Sequence, residues 1–167
     1  MKNITAVVPV RKGSQRVPNK NTRDFCGTTL LDIKIKSLLS LSSYLKDIVV
    51  STDCDHMIDI AKSYGVKTHR RDDYFASSEA TNSEFFSNLA TSIDADYFMY
   101  SPVTCPMIKQ ETYIKCFDHF EKEDNVVTVD KVKHHMWWNN KPLNYNIRFS
   151  PNSQDLPNIY RINTLPV

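Results

Sequence analysis

A chain of 167 residues is long enough for one domain that buries roughly two-thirds of the surface its unfolded form exposes, so disulfide or metal staples are not required. Hydrophobic residues at 41% and charged residues at 24% sit near the averages for globular proteins, which excludes a disordered or fibrous chain. A net charge of +2 argues against nucleic acid as a partner, and no apolar run approaches the ~20 residues needed to span a bilayer, so no membrane partner is expected.

Taken in chain order, the first apolar, β-branched run is Ile4 to Val10, followed by Ile48 to Ser51, Tyr97 to Tyr100 and Val126 to Val129. Between them lie helical faces: Leu31, Ile35 and Leu38; Met57, Ala61 and Tyr64; Tyr113, Phe117 and Phe120. Strands alternating with helices predict an α/β fold with parallel strands joined by crossover helices. Gly65 reads as the stop of the second helix. After about Asp130 the pattern changes, with Trp137, Trp138, prolines and asparagines, so 1–129 reads as the α/β core and 130–167 as an appended arm. The four cysteines (Cys26, Cys54, Cys105, Cys116) form no C-x-x-C pair, and the N-terminus enters a strand without a leader pattern. Reduced thiols and a cytoplasmic location are expected.

The segment Arg11 to Arg23 (RKGSQRVPNKNTR) carries five of the 21 basic residues and no acid. Such a loop repels itself unless an anion sits in it, and it follows a strand's carboxyl end, where open α/β sheets bind ligands. Gly13 and Ser14 let backbone and hydroxyl donors approach phosphate oxygens. Arg11, Lys12, Arg16 and Lys20 suit a triphosphate whose charge grows on the leaving group. The alternative is a solvated basic loop. Neither a Walker loop nor a G-x-G-x-x-G fingerprint is present.

VVPVRKGSQRVPNKN resembles the signature of the acylneuraminate (CMP-sialic acid) cytidylyltransferases, relatives of the CMP-Kdo synthetases. DFCGTTLLD, IVVSTDCDHMIDIAKSYGV, RRDDYFASSEAT, VTCPMI and SQDLPNIYRIN are similar to later segments of that family, in order. The resemblance implies a three-layer Rossmann-like nucleotidyltransferase fold with a mostly parallel sheet and a dimerisation arm. It further implies transfer of CMP from CTP to a sialic-acid-like 3-deoxy-2-ulosonic acid, with Mg²⁺ as cofactor and pyrophosphate released. By position, Arg11 and Lys20 would neutralise the triphosphate as the catalytic pair. Lys12, Gly13, Ser14, Arg16, Asn21, Arg71, Ser77 and Thr81 would complete the nucleotide site, and Gln154 and Arg161 would meet the acidic nine-carbon sugar. A homodimer is implied through the arm.

Several residues carry two readings. Asp53 could face a metal or ribose, or cap the helix that follows. Ser77, Ser78, Thr81 and Asn82 could meet a ribose or base edge, or serve as turn and cap residues. His134 and His135 are adjacent, a spacing suited to a loop better than to zinc. Trp137 and Trp138 read as sugar cover or interface. The chain departs from the resemblance at Pro102, where the family carries a base-reading glutamine, and the family's D-x-D metal-binding pair has no counterpart in these residues, which leaves the metal ligands unassigned. A nucleotidyltransferase for another nucleotide or sugar, and a non-catalytic nucleotide-binding homologue, are the competing expectations.

Overall fold

The computed structural model describes residues 2–14 and 16–166, with backbone only from residue 163 onward; Gln15, inside the basic loop, lies outside the described residues. Four parallel strands form the central sheet: β1 (Ile4–Pro9), β2 (Asp47–Thr52), β3 (Lys67–Arg70) and β4 (Tyr97–Tyr100), in the order β3-β2-β1-β4. The chain steps outward from β1 to β3 and then returns to the other side of β1. The reversal lies between β1 and β4, and at such a switch point the loops after the two strands separate and open a crevice.

β1 and β2 are buried on both faces because ITAVVP and DIVVST are almost continuously apolar or β-branched, as a covered parallel sheet demands. Helix α1 (Leu30–Leu39) starts where the Thr29 hydroxyl accepts the Asp32 amide, and it buries Leu31, Ile35 and Leu38 completely. Helix α2 (Asp55–Ser63) ends at Gly65, whose φ of +71° is the left-handed value a C-terminal glycine supplies, with Val66 N–H returning to the Ala61 carbonyl. Helix α3 (Asp73–Ala76) is one turn. Helix α4 (Asn82–Ser92) opens on a reciprocal capping box between Thr81 and Glu84. Helix α5 (Gln110–Phe120) buries Tyr113, Phe117 and Phe120 against α1 and the sheet. The three helical faces expected from spacing are therefore the ones the core uses, although Tyr64 is only partly buried.

The fourth apolar run does form a strand, but not a parallel one. β5 (Val127–Val132) pairs antiparallel with β8 (Ile159–Pro166) in a separate two-stranded sheet. VTVDKV alternates apolar with polar residues and stays half exposed, which suits an antiparallel ribbon and not a strand covered on both sides. Between β5 and β8 a short hairpin joins β6 (Trp137–Trp138) to β7 (Lys141–Pro142). Its two-residue turn, Asn139-Asn140, has positive φ at both positions, as a type I′ turn requires. No helix among the described residues is long and apolar enough to cross a membrane.

Candidate active site

The carboxyl ends of β1, β3 and β4 open onto one cleft of about 630 Å³, at the switch point of the sheet. Arg11, Lys20 and Asn21 line it from the basic loop, Arg71 from the end of β3, Ser77, Ser78 and Asn82 from the α3–α4 segment, and Tyr100, Pro102, Val103 and Thr104 from the end of β4. Phe75, Phe85 and Phe86 complete an aromatic wall with Tyr100, the Phe86 and Tyr100 rings meeting edge to face at 5.2 Å. A second cavity of about 510 Å³ adjoins it and shares Arg11, Lys20 and Asn21, with Ser14 and Arg16 added. One lobe is thus aromatic and polar, and the other is walled by cations and a hydroxyl.

Each side chain is held by a specific local contact. Arg11 donates from Nη1 to the carbonyls of Ala76 (2.8 Å) and Ser77 (2.7 Å), which ties the basic loop to the α3–α4 segment. Asn21 is buried and donates to the Arg11 carbonyl at 3.0 Å, while its own carbonyl accepts the Leu31 amide at the start of α1. The Lys12 backbone amide donates to Asp53 Oδ1 at 3.0 Å, which moors the loop to the end of β2. Asp53 therefore does not cap α2: Cys54 occupies that position and makes no side-chain cap.

Arg71 is only 4% exposed. It donates to the Val10 carbonyl at 2.6 Å and lies 5.3 Å from the Phe85 ring centre. Burial lowers the guanidinium pKa from its ordinary value, with Asp53 and Tyr100 opposing that shift, and arginine remains a cation at neutral pH. Its Nε is buried with no acceptor among the described residues. An orphan donor of this kind is costly without a partner, and a ligand carbonyl or phosphate oxygen in the cleft would satisfy it. The ion pairs among the described residues, Lys67–Asp47, Arg70–Asp55 and Arg161–Asp130, involve none of the basic groups of the loop.

The structure brings Arg11, Lys20, Asn21, Arg71 and Ser77 to the cleft, and Ser14 and Arg16 to the adjoining lobe. Lys12 is exposed and faces a different cavity with Arg23 and His56, and Gly13 lines neither lobe. Thr81 is also outside the cleft, because its hydroxyl accepts the Glu84 amide and donates to the Glu84 carboxylate. Gln154 and Arg161 lie on the arm, Arg161 in an exposed pair with Asp130 and Gln154 accepting Lys133 at its carbonyl. His135 meets the Pro151 carbonyl and Ser150, and its ring packs edge to face on Tyr145, all contacts within the arm.

The residues that sequence reasoning missed are Phe75, Phe85, Phe86 and Tyr100. An aromatic residue in the first turns of a helix, as Phe75, Phe85 and Phe86 are, or at the end of a strand, as Tyr100 is, looks the same in sequence whether it faces a core or a cleft. Mg²⁺ seeks one or two carboxylates besides phosphate oxygens. Among the described residues no group of three or more His, Cys, Asp or Glu could hold a metal, and one oxygen of Asp53 is already engaged by Lys12.

The whole architecture recurs in solved nucleotidyltransferases. A CMP:2-keto-3-deoxy-manno-octonic acid synthetase complexed with CTP superposes with a TM-score of 0.65 at 14% identity, covering 98% of this chain and 73% of the other. The 4-diphosphocytidyl-2C-methyl-D-erythritol synthase of Anaerococcus prevotii gives 0.67 at 18% identity, covering 99% and 69%. These likenesses establish the fold as the Rossmann-like nucleotidyltransferase type. The family model described as "Cytidylyltransferase" matches residues 5–148, and the chain belongs to that family. It is 28% identical to a pseudaminic acid cytidylyltransferase of Campylobacter jejuni over 72% of this chain and 53% of that protein. It is 32% identical to an N-acylneuraminate cytidylyltransferase of Escherichia coli over 77% of this chain and 31% of that protein. The chain spans about half the length, or less, of the curated relatives it matches.

Proposed function

We propose that this chain binds CTP in the two-lobed cleft and transfers CMP to the anomeric hydroxyl of an acidic nine-carbon sugar of the sialic-acid type, with pyrophosphate released. The observation that carries the reading is the basic loop at the switch point, whose Arg11 and Lys20 are shared by both lobes and form no ion pair among the described residues. The relatives named for pseudaminic acid and N-acylneuraminate support the acceptor class.

In the transfer, the sugar hydroxyl attacks the α-phosphorus, the bond from α-phosphorus to the bridging oxygen breaks, and the hydroxyl proton leaves to solvent. Positioning and charge neutralisation supply most of the acceleration in such reactions. Lys20 and Arg16 would hold the β- and γ-phosphates as charge builds on the leaving pyrophosphate. Arg11 would add its guanidinium while anchoring the loop, and Ser14 would donate a hydroxyl. Arg71 and the aromatic wall would take the nucleoside, where Pro102 offers the base no side-chain hydrogen bond. Mg²⁺, when bound with the triphosphate, would supply further neutralisation of the phosphate charge.

The arm would carry the dimer contact. Trp137, Trp138, Phe149 and Ile162 are exposed there, and aromatic residues are enriched at interfaces. Gln154 and Arg161 would then reach the sugar in a cleft of the assembled pair. A reducing, cytoplasmic setting accords with cysteines that form no disulfide. The test is pyrophosphate release from CTP with a panel of acidic sugars. Release with a nine-carbon acid and not with an eight-carbon one supports the assignment, whereas release only with another nucleotide or a neutral sugar phosphate refutes it.

A further inference from the structure

Beneath the cleft sits a lysine that the reaction does not use. Lys34, on α1, is 1% exposed, and among the described residues it has no carboxylate partner. Its Nζ donates to the Tyr113 hydroxyl on α5 at 2.8 Å and to the Cys105 carbonyl at 3.3 Å. Cys105 ends the turn that leaves β4, and three residues of that turn, Pro102, Val103 and Thr104, line the cleft. A buried ammonium without a counter-charge is expensive, and an apolar side chain of similar length would satisfy the core at lower cost.

What the amine supplies is a donor between two helices and the turn. Its neighbours on that turn are anchored from the other side, since the Ser101 amide donates to the Val7 carbonyl in β1. The segment Ser101–Cys105 is therefore held at both ends, by the sheet at one and by Lys34 at the other. Burial lowers the ammonium pKa to about 8, opposed by Cys105, which shows how far the core resists the charge. The neighbouring Tyr113 hydroxyl is pushed well above the usual tyrosine range, chiefly by burial, so it remains a neutral partner for the amine.

We propose that Lys34 is a positioning residue for the nucleotide cleft, fixing the β4–α5 turn through the Cys105 carbonyl so that Pro102, Val103 and Thr104 present one rigid wall to the ligand. The proposal rests on the nucleotide-binding reading for its ligand, but not for its geometry. Lys34 acts through the turn and touches no reacting atom.

The experiment compares wild type, Lys34→Met and Tyr113→Phe by hydrogen exchange, urea unfolding and CTP titration. In Lys34→Met the amides of Ser101, Val103, Thr104 and Cys105 should exchange about tenfold faster while those of α1 and α5 keep their protection. CTP affinity should fall about tenfold with the unfolding midpoint unchanged or raised, a combination that a merely structural lysine would not give. Tyr113→Phe should shift the same amides less, and it preserves the test if the methionine variant does not fold. Unchanged exchange across 101–105 in the variants overturns the proposal, as does a uniform loss of protection with a lowered midpoint. Absence of CTP binding by wild type overturns the functional reading instead, and the exchange result then decides the positioning claim alone.

Discussion

The guanidinium of Arg71 donates to the Val10 carbonyl at 2.6 Å, locking the residue that follows β3 to the residue that follows β1 across the intervening β2. Val10 and Arg71 both line the cleft, so the contact joins two of its lining positions. Arg71→Ala leaves that carbonyl without its donor in the interior, and the expected loss is about 2–3 kcal/mol of stability together with nucleotide binding. Arg71→Lys should restore part of the stability but not the affinity, because an ammonium cannot stack on Phe85 and serve two acceptors in one plane. Urea unfolding and calorimetry on the two variants measure each effect.

Asp53 is expected to matter as an acceptor for Lys12 N–H and not as a charge. Asp53→Asn keeps a carbonyl oxygen in place of Oδ1, so nucleotide affinity should stay near wild type or rise slightly as a negative charge leaves the rim. Asp53→Ala frees the loop, and affinity should fall about tenfold, the equivalent of one ordinary hydrogen bond. Equal losses in both variants would instead point to the carboxylate charge itself.

Thr81 is committed to the capping box with Glu84. Thr81→Ala should cost about 1 kcal/mol in the unfolding free energy and leave CTP affinity unchanged. A tenfold fall in affinity at unaltered stability would return Thr81 to the nucleotide site.

Lys34 gives stability a pH dependence of a definite sign. Its folded pKa, lowered to about 8, lies below the unfolded value of 10.5, so between those two pH values the unfolded chain binds more protons than the folded one. Stability from this group therefore rises as pH increases from about 8 to 10.5, and below that window the charge opposes folding in full. The rise amounts to at most about 3 kcal/mol. Subtracting the stability profile of Lys34→Met from that of wild type removes the other titrating groups, and the difference should climb through this window.

Much of the fold was legible because its signals are local and periodic. β1 and β2 are apolar runs, α1 and α5 repeat their buried residues at three and four places, and Gly65 marks a left-handed stop. β3 was missed because KTHR is a short, polar edge strand, with nothing to pack on its outer side. β5 was read as parallel because a valine-rich run looks alike in either sheet, and its partner β8 lies far along the chain. At the site, charge density exposed the basic loop, and the resemblance added Arg71. Two relationships stayed invisible, since they are set by three-dimensional neighbours alone: the mooring of Lys12 to Asp53, and the aromatic wall opposite the cations.

The central claim, that the basic loop holds a cytidine triphosphate, is tested most directly by calorimetric titration of wild type and Lys20→Ala with CTP, UTP, ATP and GTP. The account predicts selective CTP binding by wild type and a loss of about 2 kcal/mol or more in Lys20→Ala, as expected for one charge-assisted phosphate contact. Equal affinity in the two proteins, or no preference for CTP over the other nucleotides, would contradict it.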